Sequence, residues 1–431
     1  MPKNILKKSG FFSHGKNAVR FYVIVILLLC FLFFTNDFGF IEAQKTAIVT
    51  AVGIDRQDDT FIVTSQIALP QGGSGGETNG ASSPSSVQLT SRGKTVADAF
   101  DQINAKTGWY PKLVFCNLIV LGEKTLEHDV FDALDFFLRS EYALDSALVC
   151  TCQGDAKTLL DTPTSTDQSS GLAIEKVLSQ HAEQVGTALP NTLREIANDH
   201  YSEAACSFLP IVVAREQQEQ VGGEQSSQKG QSGGENSSQQ SKQGGEKKQE
   251  SGGSQGKSGE KSQQSMVFNG SKTALLRKGV KVGEFDEEET FAFGLVKNKL
   301  RLAAFTLQGD NESFTLDIKN NAPSVKFQVD DNPKLDVSVT VRTGVSDFSK
   351  SGGRELVKDM GVLPEEFLQK AAKKTEQLIT QIFEKCRSLE CDLFELVDAL
   401  RKYENDRYED FKDNVLQKTK LSVKVKFKGV R

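Results

Sequence analysis

The chain has 431 residues, of which 38% are hydrophobic and 25% are charged, and its formal net charge is −5. A chain with one long apolar run is not a polytopic transporter, and an acidic chain of this composition is not a basic nucleic-acid-binding protein. Because its whole length contains only 7 Cys, the chain is not a small disulfide-stabilised scaffold either.

The amino-terminal region joins a basic segment to an apolar run. Residues 1–20 contain five Lys or Arg side chains and no acid, and residues 21–34 read FYVIVILLLCFLFF. A positive flank before such a run predicts that the amino terminus stays in the cytoplasm and that the following chain is exported. Residues 1–20 are therefore predicted as a basic cytoplasmic segment, and residues 21–41 as a signal anchor in the form of one membrane-anchoring helix.

The side chains predicted to anchor the chain are large and apolar, at Phe21, Val23, Ile26, Leu29 and Phe34. As a helix the fourteen apolar residues cover about 21 Å, whereas a bilayer core of about 30 Å needs roughly twenty residues. A cleaved signal peptide and lipidation of Cys30 are therefore open alternatives. A lipoprotein signal requires a small residue before the cysteine, and Leu29 does not meet that requirement.

A polar tract divides the rest of the chain. Residues 215–265 contain 13 Gln, 11 Ser and 11 Gly. A stretch of this composition buries too little apolar surface to offset the entropy of ordering, so the tract is predicted to be a disordered linker. It separates residues 42–214 from residues 266–431, and each of these segments is long enough to form a hydrophobic core.

The first segment alternates strands and helices. Residues 46–55 and 60–69 predict a β-hairpin, because β-branched residues dominate both arms. Thr95 predicts the start of a helix that ends near Gly108, and the apolar run 113–122 predicts a central strand. Further helices are predicted at residues 130–139, 156–160, 172–181 and 193–198, and further strands at residues 146–152 and 208–214. Hairpins interleaved with helices favour an α+β fold with a mixed sheet over a doubly wound sheet.

The second segment places strands before helices. Residues 314–319, 325–329 and 335–341 alternate apolar and polar side chains, which predicts half-buried antiparallel strands. Pro364 suits the first turn of a long helix, whose apolar stripe extends to Cys386. The whole chain is thus predicted to be a multi-domain α+β protein with mixed and antiparallel sheets and packed helices.

The chain ends in a predicted strand with two different faces. Every second side chain from residue 421 to residue 427 is apolar. The other face carries lysines, at Lys420, Lys424, Lys426 and Lys428. Lysines in this position protect an edge strand against pairing with other chains. Contact with anionic lipid or with an acidic partner is the second interpretation, and the pattern leaves both open.

The sequence contains no recognisable catalytic, cofactor-binding or metal-binding constellation. The run GGSGG at residues 72–76 fits the nucleophile-elbow pattern, but Pro70 precedes it where an apolar strand is required. The CTC run at residues 150–152 lacks a second cysteine pair for zinc. Cys386 and Cys391 are predicted either to remain free buried thiols or to form a local disulfide in an oxidising compartment.

Several stretches occur in an order that is typical of one family. The first segment contains TAIVTAVGID, GKTVADAFDQIN, LVFCNLIVLGEKTL, DALDFFLRSEYALDSALVCTCQGDAKTLL and TLREIANDHYSEAACSFLPIV. After the polar tract follow NGSKTALLRKGVKVGEFDEEETFAFGLVKNKL, the long helix, CDLFELVDALRKY and the lysine-rich strand. This series resembles the Ger(x)C family, the C subunits of bacterial spore germinant receptors, over most of residues 46–214 and 268–428.

The resemblance implies a non-enzymatic subunit without a cofactor. Family members lie on the outer face of the spore's inner membrane and work with integral membrane A- and B-type subunits, in receptors for nutrients such as amino acids and sugars. The resemblance also implies that the small-molecule germinant is bound by the partner subunits and that no nucleic acid is a partner. The family is usually lipid-anchored at a Cys after a small residue, and Leu29 before Cys30 departs from that pattern.

The expected function is therefore that of a membrane-anchored germinant-receptor subunit whose bulk lies outside the cytoplasm. Two alternatives are an exported scaffold or adhesion protein of the cell envelope unrelated to germination, and a secreted hydrolase with a site built from acids far apart in sequence. Expression timing separates receptor from scaffold, because a receptor subunit is made in the developing spore.

Overall fold

The structure is a computed structural model of the chain. It describes residues 11–34, 46–68, 86–164, 167, 169–181, 188–216, 266–300, 302–308, 312–350 and 365–430. The last residues of the predicted anchor, 35–41, and the body of the predicted linker, 217–265, lie outside the described residues.

Two β-sheets form the framework of the described chain. The larger contains β1 (Thr46–Gln57), β2 (Thr60–Ala68), β3 (Ser86–Gly93), β4 (Tyr110–Lys112), β5 (Leu118–Leu121), β6 (Leu148–Cys152), β7 (Cys206–Glu216), β8 (Met266–Arg277) and β9 (Val280–Phe285). The smaller contains β10 (Ala303–Gln308), β11 (Glu312–Val329), β12 (Pro333–Lys350) and β13 (Lys420–Gly429). The strand orders are β3-β2-β1-β5-β6-β7-β8-β9, with β4 beside β1, and β10-β11-β12-β13.

The α-helices of the described residues are α1 (Phe11–Phe34), α2 (Val96–Thr107), α3 (Phe131–Arg139), α4 (Ala156–Asp161), α5 (Ser170–Lys176), α6 (Leu193–His200), α7 (Glu287–Val296), α8 (Glu365–Ser388), α9 (Leu396–Tyr403), α10 (Tyr408–Phe411) and α11 (Val415–Lys418). The ends of α2 are those that the sequence predicts. Thr95 Oγ1 accepts the N–H of Asp98 at 3.1 Å, and Gly108 ends the helix in the left-handed conformation, with φ of 70°.

The larger sheet is mixed, as the sequence predicts. Strands β1, β5, β6 and β7 are parallel neighbours at its centre, whereas β2, β3, β8 and β9 pair antiparallel on its two sides. Helices α2, α3 and α6 cover one face, and α4 and α5 cover the other. The parallel centre is therefore buried on both faces, and the predicted α+β class with mixed sheets is confirmed.

The central strand is shorter than the apolar run that predicts it. Within residues 113–122, the segment Leu113–Phe115 is a 3₁₀ turn, closed by the N–H of Cys116 bonding to Leu113 O at 2.9 Å. Strand β5 begins only at Leu118. An unbroken apolar run has no alternation to show where a strand starts, so the sequence could not place this boundary.

The larger sheet continues from one side of the polar tract to the other. Strand β7 pairs antiparallel with β8, from Cys206 opposite Arg277 to Glu216 opposite Met266. Arg215 and Glu216, which the sequence assigns to the linker, are the last residues of β7. The division of the chain into two folded domains at residues 215–265 stays a prediction, and β8 and β9 complete the sheet of the first segment.

The smaller sheet is built on a long antiparallel hairpin. Where the sequence predicts two strands at residues 314–319 and 325–329, β11 is one strand with register irregularities after Thr315 and after Ile318. Helix α8 packs on one face of this sheet. Strand β13 pairs parallel with β12 and forms one edge.

One hydrophobic cluster joins the two sheets. Phe208 of β7 and Phe293 of α7 lie with ring centroids 5.4 Å apart. Phe394 contacts both Phe293, at 6.4 Å, and Phe383 of α8, at 5.2 Å. Each of these edge-to-face pairs adds about 0.5–1.5 kcal/mol beyond the burial of its area. The two predicted segments therefore share part of one core.

Candidate functional site

The residues predicted to anchor the chain lie on one helix, α1. The side chains of Phe21, Val23, Ile26 and Leu29 are 65%, 50%, 58% and 54% exposed. Phe34 is the last residue of the helix, and its side chain lies outside the described ones. The structure thus brings the predicted residues onto one element and leaves the four described side chains largely uncovered.

The apolar surface of α1 is unusually large for an exposed helix. Ten large apolar side chains between residues 19 and 31 are exposed, and Cys30 is an exposed free thiol among them. The transfer of one such side chain from water to an apolar environment is favourable by about 1.5–3 kcal/mol of free energy. This surface is therefore more stable in an apolar environment than in water. In the described part of the chain, no helix has the combined length and apolarity required to cross a membrane.

A cleft of about 390 Å³ opens between α2, β4 and α3. Its floor is aromatic, because Phe100 and Phe136 stack with ring centroids 5.2 Å apart. Asp101 and Lys112 bring opposite charges to its lining. A site specific for a small ligand contains a few polar groups that are held in place to fix the ligand. Asp101 and Lys112 do not meet this description, because both are at least partly exposed. The lining therefore identifies no ligand class.

A buried carboxylate lies between β1 and α4. Asp55 accepts the N–H groups of Ala156 and Lys157 at 2.6 Å and 3.0 Å. Burial raises the pKa of Asp55, and these two N–H groups oppose that shift. Because both carboxylate oxygens hold the first residues of α4, the group has a structural role. The sequence pattern does not predict this role, because its only signal is an acid near the end of a buried strand.

Three buried cysteines lie beside the end of α8. Cys206, Cys386 and Cys391 are all free thiols. The Cys391 thiol donates to Leu276 O at 3.4 Å, and its interaction with Cys206 raises the pKa of Cys391 and lowers the pKa of Cys206. Of the two alternatives for Cys386 and Cys391, the structure contains the free thiols. Local sequence could not reveal the contact with Cys206, because it joins distant strands and loops.

Other reactive groups are scattered. Across the ranges that the structure describes, no three His, Cys, Asp or Glu side chains form a group that could hold a metal ion. Burial raises the pKa of both Cys150 and Cys152 in β6, which keeps these thiols protonated. His200 stacks on Phe131 with ring centroids 3.9 Å apart. Cys150 and Cys152 are thus packing groups of the core, and His200 packs at a partly exposed position.

Comparison with known proteins identifies both halves of the chain. A family model described as Spore germination protein N-terminal domain matches residues 40–214. A second, described as Spore germination B3/GerAC like, C-terminal, matches residues 271–431. No curated protein matches the chain.

A solved structure is also similar. It is described as Crystal Structure of the GerBC protein, with 15% sequence identity and a TM-score of 0.49, and the match covers 88% of this chain and 97% of that chain. The two family models together span most of the sequence, on both sides of the polar tract. The chain therefore belongs to the Ger(x)C family of spore germination proteins.

Proposed function

We propose that the chain is a membrane-anchored, non-enzymatic subunit of a spore germinant receptor, acting in nutrient-triggered germination. Membership of the spore germination family, over residues 40–214 and 271–431, supports the receptor context. The observation that carries the membrane part is the exposed apolar surface of α1. The bulk of the chain, from residue 42 onward, lies on the extracytoplasmic face of the spore inner membrane.

The apolar surface and the basic flank of α1 support its role as a signal anchor. Its apolar part, residues 21–34, extends about 21 Å at ~1.5 Å per residue, so a hydrocarbon core of about 30 Å has to thin locally around it. Arg20, directly before the apolar run, places a positive charge at the cytoplasmic headgroups. Transfer of ten exposed apolar side chains into lipid contributes on the order of 10 kcal/mol, which holds an uncleaved chain without a lipid on Cys30.

The partners in this proposal are the integral membrane A- and B-type subunits of the receptor. A germinant bound by those subunits shifts the assembly toward the conformational state for which the germinant has the higher affinity. This chain therefore needs no catalytic chemistry of its own. Its buried carboxylates support a non-enzymatic role. Asp55 and Asp392 are engaged by backbone N–H groups, including those of Ala156 and Val397.

Deletion of the gene tests the function. We expect spores without it to lose the response to at least one nutrient, because the receptor lacks a subunit, while germination induced by non-nutrient stimuli is unchanged. The measurement is the loss of optical density of a purified spore suspension after each stimulus, in a strain that contains no paralogue of the same receptor class.

Complementation separates anchoring from folding. The wild-type gene should restore germination, and the variant Ile26→Asp/Leu28→Asp should not, because two carboxylates in the exposed apolar surface oppose insertion into lipid. Lys106→Gln, an exposed change on α2, is the matched control and should restore germination fully. Normal nutrient germination in the deletion strain would overturn the proposed function.

A further inference from the structure

The outer face of the smaller sheet carries a concentration of positive charge. Strand β13 pairs with β12 from Lys334 opposite Lys420 to Thr343 opposite Gly429. Val425 and Phe427 of β13 are buried in the core beneath the sheet. The alternate side chains of β13, including all four of its lysines at Lys420, Lys424, Lys426 and Lys428, are exposed on the opposite face.

The neighbouring strands extend this charge beyond the edge. We define the basic face by the exposed cations Lys326, Lys334, Arg342, Lys420, Lys424, Lys426 and Lys428. The outward positions of β11, β12 and β13 between these cations contain a single acid, Asp336. It lies opposite Lys326. Because the chain as a whole has a net charge of −5, this face is opposite in sign to the rest of the molecule.

Few charges of the basic face are compensated by the residues that the structure describes. Lys334 bonds to Asp330 Oδ2 at 2.8 Å, and no other cation of the face makes an ion pair with a described residue. Arg342 lies directly opposite Lys428, and like charges placed opposite each other destabilise a sheet. Protection of an edge strand requires lysines on the edge only. It does not account for the cations on β12 and β11.

We propose that the basic face lies against an anionic lipid surface, an inference that rests on the proposed membrane location of the chain. From Lys420 to Lys428 the cations extend over about 26 Å, and three strands span about 10 Å across. They are distributed over an open sheet face. A bilayer rich in anionic headgroups is a partner with the same flatness and with spread negative charge, whereas an acidic peptide needs a local groove or cluster.

This arrangement fixes the orientation of the folded part. The basic face turns toward the headgroups, and α8, on the inner face of the same sheet, lies on the far side from the membrane. Near an anionic membrane each lysine contributes about fivefold in affinity. The acidic remainder of the chain is repelled from the same surface.

Amine labelling of the full chain in vesicles tests the orientation. The chain is reconstituted in vesicles of phosphatidylcholine alone or of equal parts phosphatidylcholine and phosphatidylglycerol, and mass spectrometry follows the modification of each lysine. We expect labelling of Lys424, Lys426 and Lys428 to slow by about fivefold or more in the anionic vesicles, and high salt to reverse this protection. Lys373, exposed on α8, is the internal control and should react equally in both.

Charge-reversed variants complete the test. K424E/K426E/K428E should remain with both kinds of vesicle through α1 but lose the lipid-dependent protection of Lys420. The control K106E/K124E/K373E changes net charge equally and should retain it. Equal labelling of the wild-type lysines in both vesicles overturns the proposal, as does protection in native spore membranes only, which would indicate an acidic protein partner. Failure of the anchor is distinguishable, because the chain would then leave the phosphatidylcholine vesicles.

Discussion

At the scale of single residues, Asp392 is the buried charge with the clearest consequence. It is 5% exposed, and its Oδ2 accepts the N–H of Val397 at 3.0 Å. Burial raises the pKa of Asp392 from 3.8 to about 6. The folded protein therefore holds this proton more tightly than the unfolded chain does. As a result, the contribution of Asp392 to stability falls as pH rises from about 4 through about 6.

Replacing Asp392 by Asn should remove this pH dependence. Between about pH 5 and about pH 7, we expect the wild type to lose about 1 kcal/mol of unfolding free energy relative to Asp392→Asn, because only the wild type must bury a newly formed carboxylate. Urea unfolding of both proteins across that range measures the difference. A difference that stays constant with pH would show that the carboxyl group titrates at its ordinary pKa.

At the scale of elements, the turn between β8 and β9 connects two parts of the fold. Lys278 and Gly279 have φ values of 50° and 75°, as in a tight hairpin turn. Gly279 O accepts the N–H of Val130 at 3.0 Å. A Cβ at Gly279 would overlap Asp129 Oδ1, the atom that accepts the N–H of Phe131 at 3.0 Å at the start of α3.

Gly279→Ala should therefore lower the free energy of unfolding more than Gly108→Ala does. Both glycines have positive φ, which disfavours alanine by about 1–2 kcal/mol, but a Cβ at Gly108 meets no atom within 4 Å. At Gly279 the overlap also displaces Asp129 from its bond to Phe131, which adds about 1 kcal/mol. Thermal and urea unfolding compare the two variants. Equal losses would mean that Asp129 moves aside freely.

Local sequence patterns predict both ends of α2 but not the start of β5. Thr95 and Gly108 bound α2 because a capping hydroxyl and a left-handed glycine act within one turn of the chain. The start of β5 at Leu118 depends on the carbonyl groups that accept the N–H groups of Cys116 and Asn117. The N–H of Asn117 bonds to Thr50 O at 3.2 Å. Such a partner is far away in sequence, so the run 113–122 alone could not indicate it.

The candidate surfaces likewise contain parts that the local sequence shows and parts that only the fold brings together. The apolar residues of α1 and the lysines of β13 are visible in the sequence because each surface lies on one continuous element. The cations at Arg342 and Lys326 join the basic face only through the register of β11, β12 and β13. The contact of Cys206 with Cys391 likewise depends on tertiary packing, which the sequence pattern does not encode locally.

At the scale of the whole molecule, the pairing of β7 with β8 unites the parts of the chain on either side of residues 217–265. We expect co-expressed fragments 1–240 and 241–431 to purify together in detergent through a tag on one of them, because they share a sheet and the aromatic contact between Phe208 and Phe293. Separate purification of two folded fragments would instead support the two independent domains that the sequence predicts.

Two substitutions in the first fragment control this prediction. Phe208→Asp should abolish co-purification, since Phe208 is 4% exposed in the shared core. Phe115→Asp removes the same side chain from a position that is 55% exposed, and it should have no effect. Loss of the complex with both variants would indicate a general folding defect.

The proposed membrane anchoring is tested by the location and topology of the full-length chain in developing spores. We expect it in the membrane fraction after washes with high salt and alkaline carbonate, since the apolar surface of α1 is held by lipid and not by charge alone. Protease added to the extracytoplasmic side should remove the part after residue 41 and leave a membrane-protected amino-terminal fragment. Recovery of the full-length chain free in the soluble fraction would contradict the proposed function.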